Sequence, residues 1–340
     1  MLQFPKIPQV SKFTDQIKKI ENLATILEHI PLNIEQKQYV FHQETLKSSL
    51  FSAKIEGNTL TLEDISKTDL TNPKTKKKQE ISNVLNALQK LMTIKLPLSK
   101  ETILQLHQIA MKSLRTDAGK IRSDSSAIFD QHGNIAYLTP SPTELNKMLK
   151  IFIKQLNIQP TLSLSDQLIL IPACHYYFEK IHPFIDGNGR VGRLLVHYQL
   201  GITKLSSDYI LPIDQYFNQH KSEYYYHLEK NTRNINDFIT FFLEGVVWSF
   251  ETILDDIKKL ATEPPSLDGK TTLLRSQLPR RQEIYSIIID HPYISLDSIA
   301  RRFPTIPRRS IAHDVNQLIK INLVNKHGQT KGVVYTAEEV

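Results

Sequence analysis

Between His182 and Arg193 the chain reads HPFIDGNGRVGR, which puts a histidine, a carboxylate, two glycines, an amide and two arginines within twelve residues. Such a set suits phosphate chemistry. Gly187 and Gly189 let the backbone turn N–H groups toward an anion, and the chain then enters a helix whose N-terminal end favours negative charge. Val191, Leu194, Leu195 and Tyr198 follow at helical spacing, so one face is anchored in a core while Arg190 and Arg193, three apart, share another. Both arginines can therefore reach one bound group. Asp186 is a hard oxygen ligand of the kind Mg²⁺ takes, one or two carboxylates being completed by the phosphates of a substrate. With an ordinary imidazole pKa of about 6.5, His182 is largely neutral at cytoplasmic pH and can accept a hydroxyl proton. Any one of these residues has a plain structural explanation, since glycine turns commonly precede helices. No core or turn asks for all of them at this spacing.

The run resembles the signature of the Fic (filamentation induced by cAMP) family, H-x-F-x-[D/E]-G-N-G-R-x-x-R, and matches it at every fixed position. The resemblance implies an enzyme that moves AMP from ATP to a hydroxyl side chain (Ser, Thr or Tyr) of a target protein, self-modification included. By the same resemblance His182 takes the proton from the target hydroxyl and Asp186 holds Mg²⁺ between the α- and β-phosphates. Gly187, Asn188 and Gly189 form the anion loop, and Arg190 and Arg193 clamp the β- and γ-phosphates. One subgroup, the Doc toxins, transfers phosphate instead and carries lysine at the second loop glycine; Gly189 is intact here, which points to AMP. The chemistry agrees, because such transfer depends mainly on in-line positioning and charge stabilisation.

The elements around this run read as mainly α, with apolar residues recurring at three and four along most of the chain. The expected organisation is an N-terminal helical domain (1–97), a Fic-type helical core (98–260), a linker (261–279) and a C-terminal module (280–340). Leu164 to Lys180 predicts the helix delivering the chain into the motif, with Pro172 either kinking it or marking its first turn. Ala127 to Leu138 reads as two short strands around Asp130-Gln-His-Gly-Asn134, a hairpin signal. The resemblance makes this hairpin a flap that aligns the target segment by strand addition, a mode with little side-chain specificity. After the motif, Tyr216, Phe217, Tyr224, Tyr225, Tyr226 and Leu228 form an aromatic segment. Consecutive tyrosines on a helix point in different directions, so most are core or rim. The resemblance offers Tyr224, Tyr225 and Tyr177 as nucleotide contacts.

A second informative segment is Ser52-Ala-Lys-Ile-Glu56-Gly57-Asn58. Ser52 and Glu56 share a helical face, Gly57 suits the residue that stops a helix, and Thr61 with Asp64 suits a capping box for the next. The segment is similar to the family's inhibitory motif, [S/T]-x-x-x-E-[G/N], in the class that carries it N-terminal to the core. If Glu56 reaches Arg193 it occupies the place of the ATP γ-phosphate, and a substrate misplaced by about 1 Å can lose on the order of 10² in rate. Related enzymes use this acid to remove AMP, so a two-way enzyme is an alternative.

From Arg280 onward the pattern predicts three helices, over Glu283 to Asp290, from Ser295 to Phe303 and from Pro307 to about Ile321. Leu323-Val-Asn-Lys and Val333-Val-Tyr-Thr then flank a glycine turn, and the whole resembles a winged helix-turn-helix. Arg308 and Arg309 would open the recognition helix and touch DNA. Residues 275–340 carry ten Lys and Arg against six Asp and Glu, a modest +4. Winged helices also dock proteins and form homodimers, so both kinds of partner stay open, as does a DNA-binding regulator whose core only senses nucleotide.

The whole chain carries 42 Lys and Arg against 35 Asp and Glu, a charge of +7 that permits phosphate-rich partners. Cys174 is the single cysteine and stands in an apolar segment, so no internal disulfide forms and a reducing compartment is expected. The first residues lack a continuous apolar run and no stretch reaches about 18 apolar residues, which predicts a cytoplasmic protein without a membrane span. Four lysines within Lys74 to Lys78 read as a solvated helix start. Asp268-Gly269-Lys270-Thr271 lacks the first glycine and the strand of a P-loop, and Cys174, His175 and His182 do not have a zinc spacing.

Overall fold

The structure is a computed structural model that describes residues 2–32, 34–66, 70, 73–94, 97–129, 135–203, 205, 210–229, 234–262, 277, 279–328 and 332–337. Most of the linker, the hairpin turn 130–134 and the Asp268 to Thr271 segment lie outside these. So do Lys95 and Leu96 at the expected first boundary. Among the described residues no helix is long and apolar enough to cross a membrane.

The chain divides into two compact units, one of residues 1–31 and 41–255, the other of residues 32–40 and 256–340. The N-terminal helices thus share a unit with the motif. In order, the helices of the first unit are α1 (Thr14–Glu28), α2 (Ile34–Ile55), α3 (Leu62–Ser66), α4 (Lys76–Leu91) and α5 (Lys100–Ala110). Strands β1 (Ala127–Phe129) and β2 (Ile135–Leu138) follow, then α6 (Pro142–Ile158), α7 (Leu164–Ile181), α8 (Asn188–Ile202), α9 (Ile213–Gln219), α10 (Lys221–Glu229) and α11 (Asn236–Thr262). α2 and α11 cross the unit boundary.

The helices form where apolar stripes and caps coincide. Thr75, Ser99 and Ser163 accept a backbone N–H at the starts of α4, α5 and α7, each satisfying an otherwise orphaned donor. α7 settles the Pro172 question: the helix runs through it, and Leu168 to Ile181 are all buried. The core gathers Leu88 of α4, Leu106 of α5, Phe152 of α6, Phe178 of α7 and Leu194 of α8, so α7 and α8 are held on several sides. β1 and β2 pair antiparallel, Ala127 opposite Leu138, with a register irregularity after Ile128.

The second unit holds α12 (Pro279–Asp290), β3 (Ile294–Ser295), α13 (Leu296–Ala300), α14 (Arg308–Lys320), β4 (Val324–His327) and β5 (Val334–Ala337). Its antiparallel sheet has the order β3-β5-β4. The two-residue β3 is too short to show in a sequence pattern. Ile284, Ile288, Ile299, Ile311, Val315, Leu318, Leu323 and Tyr335 make its own core.

Candidate active site

α7 delivers His182 at its C-terminal end in a left-handed conformation, φ 49° and ψ 61°. A non-glycine residue there costs energy and needs support. Three bonds supply it. The His182 N–H donates to the Phe178 carbonyl at 3.0 Å, the Arg122 guanidinium donates to the His182 carbonyl at 2.8 Å, and the Arg122 N–H donates to the Pro183 carbonyl at 3.0 Å. The ring Nδ1 lies 3.3 Å from the Glu179 carbonyl. A carbonyl only accepts, so Nδ1 carries the hydrogen and Nε2 keeps a lone pair for an incoming proton. Burial lowers the pKa of His182 to about 4, below the ordinary value the sequence suggested.

Arg122 is a residue beside His182 that sequence reasoning passed over. It is 3% exposed and donates to three carbonyls: His182, Asp124 at 2.8 Å and Pro140 at 2.6 Å. Asp124 and Pro140 flank the two strands of the hairpin, so one side chain ties both legs to the histidine. Lys180 adds a second tie, its ammonium lying 4.1 Å from the centre of the Tyr137 ring on β2. The one hint in the sequence was a cation just ahead of a hairpin signal.

The loop after His182 is fixed from within. Asn188 Oδ1 accepts the Phe184 N–H and its Nδ2 donates to the Phe184 carbonyl, both at 2.9 Å. Gly187 has φ 83° and a Cβ there would press on Met111 Sδ, so only glycine fits. His107 is a further missed residue. Its ring stacks on Phe184 with centroids 3.7 Å apart, its Nδ1 accepts the Gly119 N–H at 2.8 Å, and its Nε2 donates to the Asp186 carbonyl at 3.0 Å. α8 begins at Asn188, so Gly189 lies inside its first turn instead of in the loop. First-turn N–H groups have no intrahelical acceptor, which keeps an anion site there.

Asp186 is exposed, and its Oδ1 accepts from Gly187 N–H at 2.6 Å and from Arg190 at 3.0 Å. Among the described residues no group of three or more His, Cys, Asp or Glu side chains could hold a metal. One outward-facing carboxylate beside an anion site fits a Mg²⁺ completed by phosphate oxygens, and does not fit a metal held by protein alone.

Arg193 is 1% exposed and fully engaged. Its Nε donates to Ser52 Oγ at 2.9 Å, and Nη2 donates to the Ser52 carbonyl at 3.0 Å and to Glu56 Oε1 at 2.8 Å. Asp214 Oδ1 stands 3.3 Å from Nε, and Asp214 also pairs with His197. Sequence reasoning missed Asp214, which has no motif around it. Glu56 follows the last residue of α2, where Gly57 at φ 98° and the bonds of Gly57 and Asn58 N–H back to Lys54 and Ala53 carbonyls close the helix. Thr61 and Asp64 exchange capping bonds just beyond. Burial raises the Glu56 pKa, but Arg193 and Arg190 together outweigh it and the net shift is downward. The Glu56 carboxylate packs on Gly189, where any Cβ would strike it. It therefore lies at the first turn of α8, where an anion would bind.

The tyrosines divide. Tyr177 is fully buried in the core with its ring edge-on to Phe4, and Tyr224 is 1% exposed with its hydroxyl 2.7 Å from His175 Nε2. Neither is placed to meet a nucleotide, because both are already enclosed by core partners. Tyr225 does stand at the site: its hydroxyl donates to the Ile55 carbonyl at 3.2 Å, next to Glu56. Arg308, in the other unit, pairs with Asp297, while Arg309 is exposed.

The fold and site define a class, a helical enzyme-like core that presents a histidine, an acid and two arginines around a helix N-terminus. Residues 97–200 match the Fic/DOC family model, and the chain carries a Fic domain. Among curated proteins it is similar to "Protein adenylyltransferase Fic" of Drosophila willistoni, 27% identical over 193 residues that make up 55% of this chain and 36% of that protein. It is similar also to the Nematostella vectensis protein of that name, 26% identical over 254 residues, 70% of this chain and 55% of that one. The chain thus spans about a third to a half of the length of these relatives. A Fic family protein from Desulfovibrio desulfuricans G20 has the same fold, with a TM-score of 0.62 at 19% identity over 99% of this chain and 98% of that one. Fic-1 (residues 134–508) from C. elegans gives 0.58 at 21%, over 73% and 74%.

Proposed function

We propose that the protein transfers AMP from ATP to a hydroxyl side chain of a target protein, and that Glu56 holds this transfer off at rest. The target oxygen attacks the α-phosphorus of ATP, the new O–P bond replaces the bond to the bridging oxygen, and pyrophosphate leaves. The target proton passes to His182 Nε2, which the Nδ1 hydrogen bond leaves as the acceptor. Asp186 is the residue that would hold Mg²⁺, whose charge would offset that of the phosphates. First-turn N–H groups of α8 receive phosphate oxygens, and Arg190 and Arg193 stabilise the charge on the leaving group. The names of the curated relatives support the activity.

The observation that carries the resting-state reading is the Glu56 carboxylate, 2.8 Å from Arg193 and packed on Gly189. A bound γ-phosphate and this carboxylate compete for one guanidinium. Incubation with α-³²P-labelled ATP tests both parts. Self-labelling should be weak in the parent, strong in Glu56→Gly and lost in Glu56→Gly/His182→Ala. Equal labelling of parent and Glu56→Gly over a wide range of ATP and Mg²⁺ would end the inhibition reading, and strong labelling of the double variant would end the base assignment.

A further inference from the structure

α14 in the second unit sorts its side chains sharply. Ile311, Asp314, Val315 and Leu318 are buried. Arg309, His313, Asn316 and Lys320 are exposed. At 100° per residue these four fall within an arc of about 60° directly opposite the core. They are all groups that donate hydrogen bonds to base edges or phosphates. The only acid of the helix, Asp314, is turned inward and neutralised by Arg280 and by Arg281 at 3.0 Å. Asp297 is likewise taken up by Arg308, which joins the start of α14 to α13. No carboxylate is left on the outer face of α14. β4 sits at the sheet edge with Asn325, Lys326 and His327 exposed, and these add a second strip of polar side chains, with Lys326 as its cation, within the same unit.

We propose that this unit is a winged helix-turn-helix that binds duplex DNA, with the outer stripe of α14 in the major groove. Arg309, near its N-terminal end, and Lys320, at its C-terminal end, contact phosphates; Asn316 and His313 between them meet base edges, Asn in the bidentate geometry that suits adenine. Arg308 acts through Asp297 as a positioning residue that sets the angle of α14. Lys326 on the edge strand reaches the flanking backbone. The assignment favours DNA over a protein partner because the stripe has no large apolar side chain, and protein interfaces depend on buried aromatic or aliphatic anchors. It is independent of the AMP-transfer reading.

The test uses the full chain and a labelled duplex of about 30 base pairs with randomised sequence. The parent should bind with strong salt dependence, and selection from the random pool should yield a preferred site. Arg309→Ala/Lys320→Ala should weaken binding on the order of 10- to 100-fold at low salt and flatten the slope of log K against log salt by about two. Asn316→Ala should leave the slope unchanged but reduce discrimination at one base pair roughly tenfold. Lys12→Ala/Lys18→Ala, which removes two exposed charges in the other unit, should bind as the parent does. Three results would overturn the proposal: no duplex binding by the parent at low salt, equal losses in the Lys12/Lys18 control, or equal competition by duplex RNA. The deep, narrow major groove of RNA does not admit the helix.

Discussion

Two of the site's buried arginines, Arg122 and Arg193, are held in opposite ways. Arg122 gives its donors to three backbone carbonyls, whereas Arg193 faces two carboxylates, Glu56 and Asp214, and the Ser52 hydroxyl and carbonyl. The electrostatics follow. Burial lowers the Arg122 pKa, since neutral carbonyls offset little of the cost of enclosing a charge. Burial also works against the charge on Arg193, but Glu56, Asp214 and nearby Tyr224 outweigh it and the pKa rises. Carbonyl acceptors belong to the chain and cannot leave without unfolding it. A carboxylate at a helix end can swing away and be replaced by phosphate. The Arg122 side of the site is therefore a fixed strut, and the Arg193 side is the replaceable one.

The largest expected effect concerns His182. In the Glu56→Gly background, His182→Ala should lower labelling by roughly 10² to 10⁴, measured as initial rate, and a loss under tenfold would remove its role as base. Next comes release on the replaceable side: Glu56→Gly should raise the transfer rate on the order of 10²-fold, chiefly by correcting the placement of the α-phosphate. Glu56→Gln, which keeps the shape and one acceptor, should activate less. On the strut side, Arg122→Lys keeps the charge but cannot span three carbonyls. In the Glu56→Gly background it should cut transfer by about 10- to 100-fold through a shifted His182. Its affinity for ATP should match that of the Glu56→Gly parent by calorimetry, with a folded near-UV circular dichroism signature. A matching loss of ATP affinity would erase the distinction between the two arginines.

Smaller still is Asp214→Asn in the Glu56→Gly background. It removes the carboxylate that remains on Arg193 while keeping a hydrogen-bond acceptor for His197, and ATP affinity should change by only a few-fold. The mildest effect is on pH. His182 in the fold takes up a proton only near pH 4, against about 6.5 for a free imidazole, so it stays a competent base throughout the window between. The acid limb of kcat/KM in Glu56→Gly should therefore lie below about pH 5, since losing the Glu56 charge lowers the His182 pKa further. A limb centred at 6.5 would mean that the imidazole is open to water during turnover.

Much of this site could be read locally. The HPFIDGNGRVGR run, the helix that leads into it and the Thr61–Asp64 box depend on spacing of one to four residues, which helical geometry translates directly into shared faces and caps. Reading by type alone misled where burial decides. Tyr177 and Tyr224 looked able to stack on a base, but core packing encloses both. Gly189 looked like a loop residue and turned out to leave room for an acid inside a helix. Arg122, His107 and Asp214 carry no motif, because their partners are backbone groups or side chains brought close only by folding.

By itself the sequence determined which groups exist and which are neighbours along a turn: the histidine, the acid, the two arginines three apart, and Ser52 and Glu56 four apart ahead of Gly57. Tertiary structure decided the rest. Glu56 and Arg193 are 137 residues apart and meet because the C-terminal part of α2 and α8 belong to one packed unit. Arg122 reaches the His182 carbonyl across 60 residues. Helical periodicity is a local property that the chain writes directly. The pairing of charges over such separations depends on which helices share a core.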